Sequence, residues 1–212
     1  MKKYAFSYSV KQTFDSPVTR HAFILRCMPG TFPFQRSYAH KLKVKPHAAL
    51  TFTGDSCSNE LYSGTIDKAH TGFSYESSGF VLSSRYVIHE PLDRIYLFPS
   101  EMTRPTPAMI QMVRTASLPE DPWARAKALC QLTYRLINFV PGDGAKTAAE
   151  TFASGKGNAR DFAHVFLALC RLSGIPARLV SGLAVGIPGP TPGRRSTAAA
   201  AGGRWTPSPA WW

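Results

Sequence analysis

Gly155-Lys156-Gly157-Asn158-Ala159-Arg160-Asp161-Phe162-Ala163-His164 opens the stretch on which the fold turns, and Gly174-Ile175-Pro176-Ala177-Arg178 closes it. Asn158 is a good helix N-cap, and Asp161, three positions on, stands where its carboxylate can return the bond to the Asn158 backbone. Phe162, Val165, Phe166, Leu169 and Leu172 then carry a helical period as far as Gly174, a residue type that ends helices. Ile175 to Val180 are expected to return to strand. Upstream, Thr147-Ala148-Ala149-Glu150 has the form of a capping box and predicts a short helix ending near Gly155.

Working outward, Asp121-Pro122 supplies an N-cap and a proline at the first helical position. The run Trp123 to Val140 is expected to continue as one helix, with a stripe through Ala126, Leu129, Cys130, Leu136, Ile137 and Val140 and with Thr133 as its polar member. Pro141-Gly142-Asp143-Gly144 stops it. Gly142 to Thr147 faintly resembles a phosphate loop, but it lacks the Gly-Lys-Thr ending, and capping explains Thr147 better. Helical character begins after Pro105, and residues 4 to about 100 read as β-structure. Tyr4, Phe6, Tyr8 and Val10 alternate with small or polar residues, as do Leu42 and Val44 with Lys41, Lys43 and Lys45. The lysine stripe reads as a solvated strand face with no aromatic platform for nucleic acid. His21, His40, His47, His70 and His89 have no mutual spacing and read as ordinary strand or surface positions.

The 212 residues, 44% hydrophobic and 12% aromatic, suffice for a packed core. The formal charge is +12, from 25 Lys and Arg against 13 Asp and Glu. No Asp or Glu follows Asp161, and no histidine follows His164. No apolar run reaches the ~18 residues of a membrane helix, and the opening Met1 to Tyr8 lacks the apolar core of an export signal. Cys27, Cys57, Cys130 and Cys170 have no Cys-x-x-Cys pair, so neither a disulfide framework nor a zinc site is expected. The chain is expected in the cytoplasm, without metal or cofactor. From Gly186 onward, proline, tryptophan, a four-alanine run and three arginines replace any helix or strand period, which is the character of a disordered tail.

The segment 147–182 resembles the bacterial transglutaminase-like superfamily, whose core is a papain-like cysteine site. There a Gly-x-Cys-Arg/Gln-Asp-Phe/Tyr-Ala-His block opens a helix and Gly-Ile-Pro-Ala-Arg follows. Arg26-Cys27-Met28-Pro29, Asp55-Ser56-Cys57-Ser58-Asn59 and Phe98-Pro99-Ser100-Glu101-Met102-Thr103 fall where the family's N-terminal region carries comparable blocks. The resemblance implies a thiolate at the helix start, stabilised by the dipole, with a histidine base from a later strand and an Asp to orient it. This chain departs from that pattern. Ala159 holds the nucleophile position, and no downstream His or Asp exists to complete a triad. Cys170, eleven residues further on, lies about 16 Å along the helix axis and reads as a buried small hydrophobe. Asn158, Arg160, Asp161 and His164 are expected to shape the cleft, with Asp161 equally a cap and His164 packing rather than catalysing.

The tail has a second reading. Codons can be chosen for Pro190 to Thr197 so that the shifted frame spells His-Ala-Trp-Ala-Glu-Val-Tyr, the strand that the resemblance calls for. Trp205 has one codon, and its last base joined to the first two of Thr206 gives Asp in that frame. Residues from about Gly186 are therefore expected to be a frameshifted remnant, and the tail's three arginines a consequence of it. Ala159 is separate, since a cysteine codon needs two base changes to become alanine.

The expected fold is α+β. Residues 1–104 form an antiparallel β-sandwich-like region, and 105–185 the helical front half of a truncated papain-like, transglutaminase-like core. Residues 186–212 are an aberrant tail. Missing central strands would leave a sheet edge and apolar surface uncovered. The expected function is that of an inactive relative of cysteine-dependent acyl transferases or peptidases. The alternative is a non-catalytic module that holds a peptide or protein in the β-region and inert cleft. A protein or peptide is the expected partner, with no nucleic acid or membrane, and the oligomeric state is open.

Overall fold

The computed structural model describes residues 1–56, 59–84, 93–142 and 144–180. The expected tail, 186–212, lies outside the described residues, as does His89. The described residues divide into two compact units, one holding residues 1–84 and the other residues 93–180.

The first unit is all β. Its strands are β1 (Lys2–Val18), β2 (His21–Leu25), β3 (Gln35–Lys45), β4 (Thr51–Gly54), β5 (Glu60–Ile66) and β6 (His70–Ser83). They form two antiparallel three-stranded sheets, ordered β1-β6-β3 and β2-β5-β4. Tyr8 and Phe73 from the first sheet share a core with Phe23, Leu25 and Ile66 from the second, so the sheets pack face to face. The alternation read from Tyr4 to Val10 is the inward face of β1. Lys41, Lys43 and Lys45 are all exposed, as their stripe predicts. Tyr8 and Ser77 both donate to the Cys27 carbonyl, at 2.8 and 2.6 Å, and satisfy it inside the core.

The second unit is helical. Its elements are α1 (Pro107–Thr115), α2 (Pro122–Leu136), β7 (Asn138–Phe139), α3 (Ala148–Ser154), β8 (Lys156–Gly157) and α4 (Ala159–Leu172). Met109, Leu129, Val165 and Leu169 are fully buried at its centre. Asp121 caps α2 by accepting from the Ala124 N–H at 2.7 Å, with Pro122 at the first position. Thr133 is buried and donates to the Leu129 carbonyl at 2.8 Å, which is how a hydroxyl sits in an apolar stripe.

Three sequence expectations are corrected here. The last described strand of the β-region closes at Ser83, and the β-structure expected as far as about 100 is not continuous, because Arg94–Leu97, followed by Glu101–Thr103, form 3-10 turns. Asp93 and Ser100 cap those turns through local bonds, which compete with an extended chain. The helix expected as far as Val140 stops at Leu136, where Ile137 turns extended. Asn138–Phe139 then pair in parallel with Lys156–Gly157, a tertiary pairing that outweighs the helical period. Residues 175–180 are not a strand. They have no ladder partner among the described residues, although Ile175 and Ala177 are buried.

Candidate functional site

The start of α4 is built from short, local rules. Asn158 adopts an extended backbone, and its Oδ1 accepts from the Arg160 and Asp161 N–H groups at 2.9 and 3.2 Å. Asp161 returns the bond, its Oδ2 accepting from the Asn158 N–H at 2.8 Å. Those bonds satisfy helix-terminal donors that have no partner within the helix.

The same two side chains also reach outward. Asp161 Oδ1 accepts from the Lys146 N–H at 2.7 Å, and Asn158 Nδ2 donates to the carbonyls of Gly142 and Gly144. His164, one turn on, donates from Nδ1 to the Lys146 carbonyl at 2.9 Å. The loop that faintly resembled a phosphate cradle is thereby tied down, and Lys146 has both its backbone groups bound to α4. Asp161 is 2% exposed and His164 6% exposed, so neither is offered to solvent.

Ala159 is the first residue of α4 and is 8% exposed. Its methyl group sits at the positive end of the helix, where an anion or thiolate would be stabilised. Of the residues expected to shape a cleft, Asn158, Asp161 and His164 gather around the loop 142–147. Arg160 is exposed. Asn158, Asp161 and His164 thus do backbone-binding work, and no nucleophile stands among them. Among the described residues, no group of three or more His, Cys, Asp or Glu is placed to hold a metal.

Sequence reasoning missed Gly157. It is buried, and a Cβ there would lie 2.6 Å from Asp161 Cβ. Only glycine lets the chain pass so close under the capping carboxylate. The Gly-Asn step was legible, but the contact that demands the glycine was not. Arg171, at the far end of α4, was also not singled out. It donates to the carbonyls of Tyr96 and Ala177, at 2.9 and 2.8 Å, and to the Thr103 hydroxyl. Burial holds its guanidinium pKa below the usual value, and its fork pins both 3-10 turns and the segment after α4. Cys170, already discounted as a nucleophile, is fully buried, and burial pushes its thiol pKa well up, the reverse of activation.

Comparison with known proteins agrees with this architecture. Residues 110–211 match the transglutaminase-like superfamily core, and residues 4–82 match the bacterial transglutaminase-like N-terminal region. A crystal structure of a Cytophaga hutchinsonii protein, provisionally described as a cysteine protease, superposes with a TM-score of 0.65 at 20% identity. The alignment covers 82% of this chain and 64% of that one, so the chain spans less than two thirds of that protein's length. No curated protein sequence matches the chain. Among the described residues, no helix is long and apolar enough to cross a membrane.

Proposed function

Because the chain belongs to the bacterial transglutaminase-like superfamily, we propose that it is an inert member: a relative of cysteine-dependent acyl transferases and peptidases whose nucleophile position is empty of chemistry. The observation that carries this reading is Ala159 at the first position of α4. The cap around it is complete, with Asn158 and Asp161 both bonded, so the scaffold is kept while the attacking atom is absent. A methyl group cannot form a thioester, and Asp161 and His164 are committed to backbone. Within this reading the chain is cytoplasmic, its substrate-like partner is a protein or peptide, and residues from about Gly186 derive from a shifted frame.

The test is direct. The purified chain should neither release ammonia from glutamine peptides nor cleave amide bonds. Ala159→Cys should introduce a thiol that iodoacetamide alkylates faster than free cysteine near neutral pH, because the helix start favours the thiolate. Amide turnover by the unaltered chain would overturn the proposal. If the thiol introduced by Ala159→Cys reacts no faster than free cysteine, the placement of the nucleophile position is overturned. Reading the coding bases around Pro190 to Thr206 decides the frame separately.

A further inference from the structure

The β-unit holds a side-chain relay of a different kind. Ser37 Oγ lies 2.5 Å from His40 Nε2, and His40 Nδ1 lies 3.6 Å from Glu60 Oε2. Tyr62 donates its hydroxyl to the same Glu60 oxygen at 3.1 Å. Ser37 and His40 are on β3 in one sheet, while Glu60 and Tyr62 are on β5 in the other. The His40 and Glu60 side chains are 20% and 22% exposed, so the relay sits partly open to solvent.

Two residues three apart on a regular strand face opposite ways. Here a bulge brings them together. Tyr38 pairs with Phe80 and Lys41 with Ser78, so Ala39 and His40 both oppose Gly79. Before the bulge Ser37 pairs with buried Val81; after it Leu42 pairs with buried Ser77. The inward phase therefore changes from odd to even residues, and Ser37 and His40 come to share a face. Ala39 takes φ 53°, a left-handed conformation that costs a non-glycine residue about 1 kcal/mol. Gly79 makes room opposite: a Cβ there would stand 3.1 Å from the Tyr38 carbonyl oxygen. Bulges and strained backbone of this sort recur where a side chain is re-aimed for chemistry.

We propose that Ser37, His40 and Glu60 form a serine–histidine–carboxylate site that hydrolyses small, activated acyl esters. Ser37 Oγ attacks the ester carbonyl carbon as its proton passes to His40 Nε2. The tetrahedral intermediate collapses, the ester C–O bond breaks, and the leaving alkoxide takes that proton. Water then attacks the acyl-serine by the same route. It gives one proton to His40, which returns it to Ser37, and the carboxylic acid leaves. Glu60 is a positioning residue: its carboxylate faces Nδ1 and favours the tautomer with a free Nε2 lone pair toward serine. Burial and the neighbouring carboxylate push the Tyr62 phenol up to about 12, so it remains a donor to Glu60. The site is independent of Ala159, which belongs to the other unit.

The experiment treats the full chain with an alkyl fluorophosphonate, in which the serine oxygen replaces fluoride at phosphorus. Peptide mass spectrometry locates the adduct, and p-nitrophenyl acetate hydrolysis is followed in parallel. The expected result is one adduct on Ser37, absent in Ser37→Ala and absent when the chain is unfolded in urea. His40→Gln should slow labelling about a hundredfold. Glu60→Gln should slow it too, while Glu60→Asp should recover part of the rate, which a purely structural carboxylate would not require. No adduct at Ser37 in the folded chain overturns the site. So does equal labelling in urea, or wild-type labelling in a folded His40→Gln variant.

Discussion

Polar side chains are used differently in the two units. At the start of α4, Asn158, Asp161 and His164 spend their hydrogen bonds on backbone: helix N–H groups, the carbonyls of Gly142 and Gly144, and both groups of Lys146. In the β-unit, Ser37, His40, Glu60 and Tyr62 face one another instead. Side chains bonded to backbone hold a loop in place and are used up in doing so. Side chains in a relay leave a proton path and an end group. A capping motif can therefore serve as architecture alone, while a side-chain relay can be assembled from residues that match no motif.

The largest expected effect falls on the backbone-binding set. Asp161→Ala removes acceptors from the Asn158 and Lys146 N–H groups at a buried site, and should destabilise the helical unit by about 2–4 kcal/mol. Urea unfolding followed by helical circular dichroism measures it. A loss below about 0.5 kcal/mol would mean that the carboxylate is not what fastens the loop, and the contrast between the units would fail.

A smaller effect of opposite sign is expected at the bulge. Ala39→Gly relieves the left-handed strain and should stabilise the β-unit by up to about 1 kcal/mol with Ser37 labelling intact. A destabilised variant would show that the left-handed strain at Ala39 is smaller than the entropy that glycine adds to the unfolded chain.

The smallest effect concerns the exposed cap of α3. The Thr147 N–H, and then its hydroxyl, hold the Glu150 carboxyl below its ordinary value of 4.5. A depressed carboxylate contributes stability above its unfolded pKa and loses it as pH falls through the folded one. Glu150→Gln should therefore cost more stability at about pH 6 than at about pH 3, the cost shrinking as pH falls below the ordinary carboxyl value. An unchanged gap between variant and wild type at both values would show that charge plays no part in the cap.

Local signals were legible because they act over a few residues. The Asn158–Asp161 and Thr147–Glu150 boxes, the Asp121-Pro122 start and the Gly174 stop all appear in the structure as read. Period-two alternation likewise announced β1 and β3. The end of α2 was not legible, because Ile137 to Val140 fit a helical stripe as well as a strand. Only the partner at Lys156–Gly157 chose between them. Ser37 and His40 were hidden for a similar reason. Their spacing in a strand separates them, and nothing in Tyr38-Ala39-His40 announces a bulge without Gly79 opposite.

By itself, the amino-acid sequence determined the helix starts, the sandwich-forming alternation and the alanine at the first position of α4, since capping, pleating and side-chain identity need no distant partner. The tertiary structure alone decided that Asp161 and His164 clasp the loop at Lys146, that Gly157 must be glycine, and that Ser37 meets His40 and Glu60. The clasp at Lys146 and the meeting of Ser37, His40 and Glu60 depend on segments apart in sequence or on a strand register, and the need for Gly157 on how closely the chain passes Thr151 and Asp161 as it enters α4; all are set only when each unit packs.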